Sequence, residues 1–180
     1  GQGRMLGGAI LGRKELIDEV MFMARHTGPA MSPFNGWILS KSLETLAVRM
    51  DRHCSTALEL ATFLRSHTEV SLVKYPYLES HPQHDLAVKQ MNQGGGIVTL
   101  EGKGGISQGR KFLDALEMLS LSANLGDTRS IATHPASTTH SKLSETERDT
   151  VGITAGLVRI ATGLENIKDI IQDIDQALIK

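Results

Sequence analysis

Residues 156–166 read GLVRIATGLEN, and the fold turns on how this stretch is read. Apolar residues dominate positions 157–161, too few for a helix and bounded by Gly156 and Gly163, so the run predicts a strand. In a strand, Leu157, Arg159 and Ala161 share one face, and Val158, Ile160 and Thr162 the other. A permanent cation therefore stands inside an otherwise apolar strand. Periodicity leaves two roles open for Arg159. Either it lies on a solvated face, as most strand arginines do, or it points into a cleft and clamps a carboxylate. A planar guanidinium suits the second role because it offers two parallel charge-assisted hydrogen bonds.

Downstream, Ile167, Ile170, Ile171, Ile174 and Leu178 keep helical spacing and predict a closing helix, with Lys180 at its carboxyl end. Upstream, SETE at 144–147 has the form of a capping box. Residues 70–75 and 97–101 predict strands, and residues 84–91 and 106–118 predict helices. In the latter, Ile106, Phe112, Leu113, Leu116 and Leu119 are expected inward. The triple glycine 94–96 lacks the Lys-Ser/Thr of a P-loop and reads as a turn. The stretch NLGDTRSIATHPASTTH, 124–140, is dense in small hydroxyl and amide side chains and reads as a loop that either hydrogen-bonds itself or lines a polar pocket. Nearer the amino terminus, residues 7–11 predict a short buried strand. Residues 13–24 predict a helix with Leu16, Ile17, Val20 and Met23 on one stripe. A long helix is predicted from about residue 36 to 66, with Leu39, Leu43, Leu46, Met50, Leu58, Ala61 and Leu64 at helical spacing and a softer patch at 53–56. Strands interleaved with helices over short connections define an α/β or α+β sheet with helices on one face.

The 180 residues suffice for one domain with a full core, or a small domain plus an appendage. Hydrophobic content of 40% and charged content of 22% are ordinary, and an aromatic content of 4% makes the core aliphatic. A net charge of −1 supplies no drive towards nucleic acid or an anionic membrane. No apolar run reaches membrane-spanning length. The single cysteine, Cys54, excludes an internal disulfide, fits a reducing cytosol and reads as a buried filler. His81 and His84 in SHPQH have no partners at zinc spacing and read as a surface turn. The Gly-rich opening, without a methionine, reads as the middle of a longer protein.

Four motifs occur in order: GPAMSPFNGWILSKSLETLAVRMDRH (28–53), SHPQHDLAVKQ (80–90), NLGDTRSIATHPASTTH and GLVRIATGLEN. Together they resemble the C-terminal part of the Cys/Met-metabolism enzymes that use pyridoxal 5'-phosphate, the trans-sulfuration family. The resemblance implies the C-terminal portion of a fold type I transferase. Residues 1–60 would be the tail of the cofactor-binding large domain and the connecting helix, and residues 61–180 an α+β small domain with an antiparallel sheet.

It also assigns roles. Arg159 would grip the substrate's α-carboxylate. Asn124, where many relatives have serine, would lie beside it and side with O-succinylhomoserine sulfhydrylases. Thr139 would donate a hydrogen bond to the residue at that turn, and Arg25 lies where side-chain specificity varies. The Schiff-base lysine falls just before Gly1 and is absent, with Gly1-Gln2 as the turn that follows it, so the chain alone is expected to be inactive. The resemblance implies a cytoplasmic homotetramer acting on an amino-acid substrate, partnered by the missing cofactor domain. The expected activity is that of the sulfhydrylase. The alternatives are a cystathionine or methionine C–S lyase and, from another class, an inactive isolated domain.

Overall fold

The computed structural model describes residues 3–180, so the turn expected at Gly1-Gln2 lies outside the described residues. The chain forms two compact units, residues 3–47 and 48–180.

In the first unit, α1 spans Lys14–Thr27 and α2 spans Pro33–Leu43. Gly28 ends α1 in the left-handed region (φ 79°), its N–H donating to Ala24 O, a turn that costs glycine least. Ser32 caps α2 by accepting the Asn35 N–H, and Pro33 occupies the first turn, so this helix starts earlier than the spacing predicts. Neither helix has a buried residue. The strand expected at 7–11 is absent: Ile10 and Leu11 are exposed and unpaired, and the described unit offers no second strand to complete a ladder.

The predicted helix 36–66 is two helices, α2 and α3 (Leu46–Arg65), broken at Glu44–Thr45. Ser42 and Thr45 stand at the break, where hydroxyls compete for backbone groups; Thr45 Oγ1 reaches Ser42 O at 3.5 Å. The buried face of α3 also differs from the predicted stripe. His53, Cys54, Thr56, Ala57, Leu60, Ala61 and Leu64 are buried, whereas Leu46, Met50 and Leu58 are exposed. The softer patch at 53–56 is a contact surface.

The second unit carries a five-stranded sheet: β1 (Val70–Lys74), β2 (Ile97–Gly102), β3 (Ser120–Leu121), β4 (Ile131–Thr133) and β5 (Leu157–Ala161), in the order β1-β2-β5-β4-β3. The pairings are antiparallel except that β3 runs parallel to β4, so the sheet is mixed where a wholly antiparallel one is expected. β4 emerges inside what reads as a loop. Its three residues are too short a run to show a period. β1 forms one edge, with an irregular register between Val70 and Leu72, and two-residue β3 forms the other.

Val98 and Leu100 of β2, Ala132 of β4, and Val158 and Ile160 of β5 share the face under the helices. Against it pack α3, α5 (Gly105–Ala115) through Phe112, and α7 (Ile167–Leu178) through Ile170, Ile174, Ala177 and Leu178. Ile106 is exposed, and Leu116 and Leu119 lie beyond the end of α5. Two short helices, α4 (His84–Gln90) and α6 (Glu145–Thr150), complete the unit. The capping box at Ser144 and Glu147 forms as the sequence predicts. No helix among the described residues is long and apolar enough to cross a membrane.

Candidate functional site

β5 is a central strand, and Arg159 is directly opposite Thr99 of β2 and Thr133 of β4. It stands on the face away from the helices. That face is not washed by solvent along β5, since Leu157 and Ala161 on it are buried too. Arg159 is half-buried. Its Nη2 donates to Ala123 O (2.8 Å) and Asn124 O (3.1 Å), both on the turn after β3. Its Nε is buried and has no hydrogen-bond partner. A buried N–H without an acceptor costs about 1–3 kcal/mol, so such a group calls for an explanation. The guanidinium as a whole is half-buried, and its fork has the geometry a carboxylate fits.

Asn124 contributes its backbone to this arrangement. Its carbonyl holds Arg159, and its N–H donates to Ser122 Oγ (3.3 Å). Its side-chain amide is exposed and makes no hydrogen bond among the described residues. Thr139 does not bond to Asn124. Its hydroxyl lies 2.8 Å from His140 Nδ1, an adjacent partner that wins on proximity. The segment carrying Thr139 is pinned to β4 and to the loop before β5. Thr133 Oγ1 meets Thr138 Oγ1 (3.2 Å), and buried His134 donates from Nε2 to Ala155 O (2.8 Å) while its Nδ1 meets Ser137 Oγ (2.8 Å). Arg25 lies in the first unit, exposed in the last turn of α1.

The residues after Arg159 form a clasp that sequence reasoning missed. Thr162 accepts from His53 Nδ1 (2.6 Å), and its hydroxyl donates to His53 O or Gly96 O (3.1 Å each). Gly163 N–H donates to Ser130 Oγ (2.8 Å). Glu165 takes Ser130 N–H on Oε1 (2.7 Å) and Ser130 Oγ–H on Oε2 (2.9 Å). Asn166 caps α7 through the Lys168 N–H. The available signal was the carboxylate in TGLEN, one residue before the Asn166 cap of α7. The loop that the clasp holds is braced from within as well. Burial pushes the Asp127 carboxyl up, but hydrogen bonds from the Arg129 N–H and Thr128 outweigh it and leave it below its ordinary value.

The remaining candidates are structural in their contacts. Gly95 turns in the left-handed region (φ 82°), and a Cβ at Gly94 would meet the Tyr75 ring 2.6 Å away. Buried Tyr75 donates to Gly95 O or Cys54 O. Burial pushes the Cys54 thiol up, away from the thiolate. His81 Nδ1 accepts the Gln83 N–H, and His84 Nδ1 donates to Pro76 O. Among the described residues, no three His, Cys, Asp or Glu gather where they could hold a metal.

A sequence profile of the Cys/Met-metabolism PLP-dependent enzymes matches residues 1–179, and the chain belongs to that family. It is 50% identical over 183 residues to an O-succinylhomoserine sulfhydrylase of Mycobacterium tuberculosis, covering 99% of this chain and 45% of that protein. It is 44% identical over 180 residues to an L-methionine gamma-lyase of Pseudomonas putida, with coverage of 99% and 45%. Among solved structures, a putative O-acetylhomoserine (thiol)-lyase from Campylobacter jejuni, holding a pyridoxyl-lysine phosphate adduct, superposes with a TM-score of 0.86 at 40% identity. That match covers 91% of this chain and 39% of that one. The chain thus spans somewhat under half the length of the relatives it matches. These likenesses place it among the trans-sulfuration enzymes with an α/β fold and a pyridoxal-phosphate-dependent chemistry. On this chain, the half-buried guanidinium of Arg159 is the group with the geometry to meet a carboxylate.

Proposed function

We propose that this chain is the C-terminal part of a pyridoxal-phosphate-dependent O-succinylhomoserine sulfhydrylase, which exchanges the succinyloxy group of O-succinylhomoserine for sulfide, giving homocysteine and succinate. The observation that carries the substrate class is the half-buried Arg159 guanidinium, aimed by the two carbonyls of the turn after β3. Arg159 holds the α-carboxylate through its fork. Asn124 offers a free amide beside it. Bound pyridoxal phosphate withdraws electrons from the α-carbon so that the γ-substituent can leave. Orientation of the amino acid falls to the clamp, which costs the enzyme little because the guanidinium is already fixed.

In this reading, residues 1–60 belong to the cofactor domain's tail and connecting helix and residues 61–180 to the small domain. The cofactor lysine lies upstream, the 180 residues alone are inactive, and the whole enzyme is a cytoplasmic homotetramer. Support for a covering partner comes from the apolar side chains left exposed, among them Trp37, Leu43, Val48 and Leu58. A methionine γ-lyase is the second reading, favoured by the 44% identity to the Pseudomonas enzyme.

The test is an assay of the full-length, cofactor-loaded protein with O-succinylhomoserine plus sulfide, beside cystathionine and methionine alone. Homocysteine formation from the ester supports the sulfhydrylase. Keto-acid release from methionine without ester turnover moves the protein to the lyases. Arg159→Ala is expected to raise KM for the amino acid by about 10–100-fold, the worth of a charge-assisted hydrogen bond. An unchanged KM removes the clamp.

A further inference from the structure

Arg159 and the clasp at 162–165 lie on the same strand and its exit, and both grip the same loop. Residue 159 holds the loop at its start, through the carbonyls of 123 and 124. Residues 163–165 hold it at its end: Gly163 N–H and Glu165 close on Ser130, and Leu164 N–H donates to Thr128 O (2.8 Å). Between these grips, the loop is braced by Ser122 under the Asn124 N–H, by a left-handed Gly126 and by Asp127 under the Arg129 N–H. The fit at the far end is close. A Cβ on Gly163 would meet Glu165 Oε2, as well as Ser130 N at 2.5 Å and Arg129 C at 2.6 Å. The loop's two ends are therefore indexed to β5 and its exit, and the carbonyls that aim the guanidinium are referenced to the strand that carries it.

We propose that Glu165 is a positioning residue for the carboxylate clamp: through Ser130 it sets the 122–130 loop, whose carbonyls at 123 and 124 aim Arg159. The proposal rests on the reading of Arg159 as that clamp. Glu165 touches no substrate. Its removal frees the Ser130 end of the loop, lets the 123–124 carbonyls wander, and loosens a guanidinium that works by being fixed.

The experiment uses the full-length, cofactor-loaded protein and two readouts: KM and kcat for the ester, and calorimetric binding of glycine, the smallest α-amino carboxylate. Glu165→Ala is expected to raise KM and weaken glycine about tenfold, with kcat within about twofold, the pattern of lost uniform binding. Glu165→Gln, whose amide oxygen still accepts the Ser130 N–H, is expected to restore both. In an Arg159→Ala background, Glu165→Ala should add nothing, because the two act as one unit. Should Glu165→Ala fail to fold, Ser130→Ala carries the same comparison. Unchanged KM and glycine affinity in Glu165→Ala overturn the proposal, as do effects that simply multiply with those of Arg159→Ala, the mark of a general structural role. An Arg159→Ala protein with unaltered KM and glycine affinity removes the clamp itself, and the positioning role with it. A clamp that fails only in Arg159→Ala removes the positioning role alone.

Discussion

A single guanidinium shows how local the decisive information is. Arg159 was legible as an anomaly because a cation interrupts an apolar alternation. What the alternation could not show is that both faces of its strand are buried, leaving Leu157 and Ala161 covered on the arginine's own side. The family motifs supplied the expectation of a clamp, and the carbonyls at 123 and 124 are what hold the guanidinium in place. Thr139 went the other way: its partner is the adjacent His140, a contact no spacing rule anticipates. Gly163 was read only as a strand terminator. Its role is steric, since the neighbours a Cβ would strike include backbone atoms that cannot step aside. Gly163→Ala is therefore expected to destabilise the protein by about 1–3 kcal/mol, the range for overpacking a filled site. The check is the thermal midpoint of the purified variant, and an unchanged midpoint contradicts the close approach.

At the scale of elements, the parts with strong periods or caps were the legible ones. The closing helix buries Ile170, Ile174 and Leu178, with Ile167 and Ile171 packed beside them, and Ser144 and Glu147 cap α6. Three things escaped: the break between α2 and α3, the three-residue β4, and the burial of a polar patch in α3. The last two depend on contacts distant in sequence, such as His53 with Thr162, which composition does not encode, while the break is local to Ser42 and Thr45. One further element-level device was invisible for the same reason. Asp173 of α7 accepts the N–H groups of Glu117, Met118 and Leu119, and so fastens the segment between α5 and β3. Burial pushes its carboxyl up, but those three donors and the Gln176 amide outweigh burial and hold it below the usual carboxylate range. A carboxyl held low when folded gives stability that is present above its unfolded pKa, about 4, and lost as pH falls through the folded value. Asp173→Asn is expected to cost about 1–3 kcal/mol at pH 7, with the gap from the parent narrowing below about pH 4. Hydrogen exchange at residues 117–119 reads this directly. Equal protection in parent and variant at pH 7 contradicts the fastening.

At the scale of the whole molecule, the two compact units differ in kind. Residues 48–180 own a core, built from the sheet face, α3, α5 and α7. Residues 3–47 have two helices without a buried residue, and they expose Phe22, Phe34 and Trp37. Helices of this length are marginal in water without tertiary packing. A peptide of residues 1–47 is expected to show little helical circular dichroism, and strong helicity in isolation contradicts that view. The overall class was readable because alternating strands and helices constrain architecture. The division of stability between the units was not, because exposure depends on what else is present. The sheet's borders carry a last consequence. One rim is interrupted at Val70 and Leu72, and the other is two residues long. Neither offers a stranger's backbone a ladder to extend, which is how sheets resist fibrous self-association. If these 180 residues clump, they will do so through bare helix flanks, as amorphous and soluble-detergent-reversible aggregates, and not by growing cross-β ribbons.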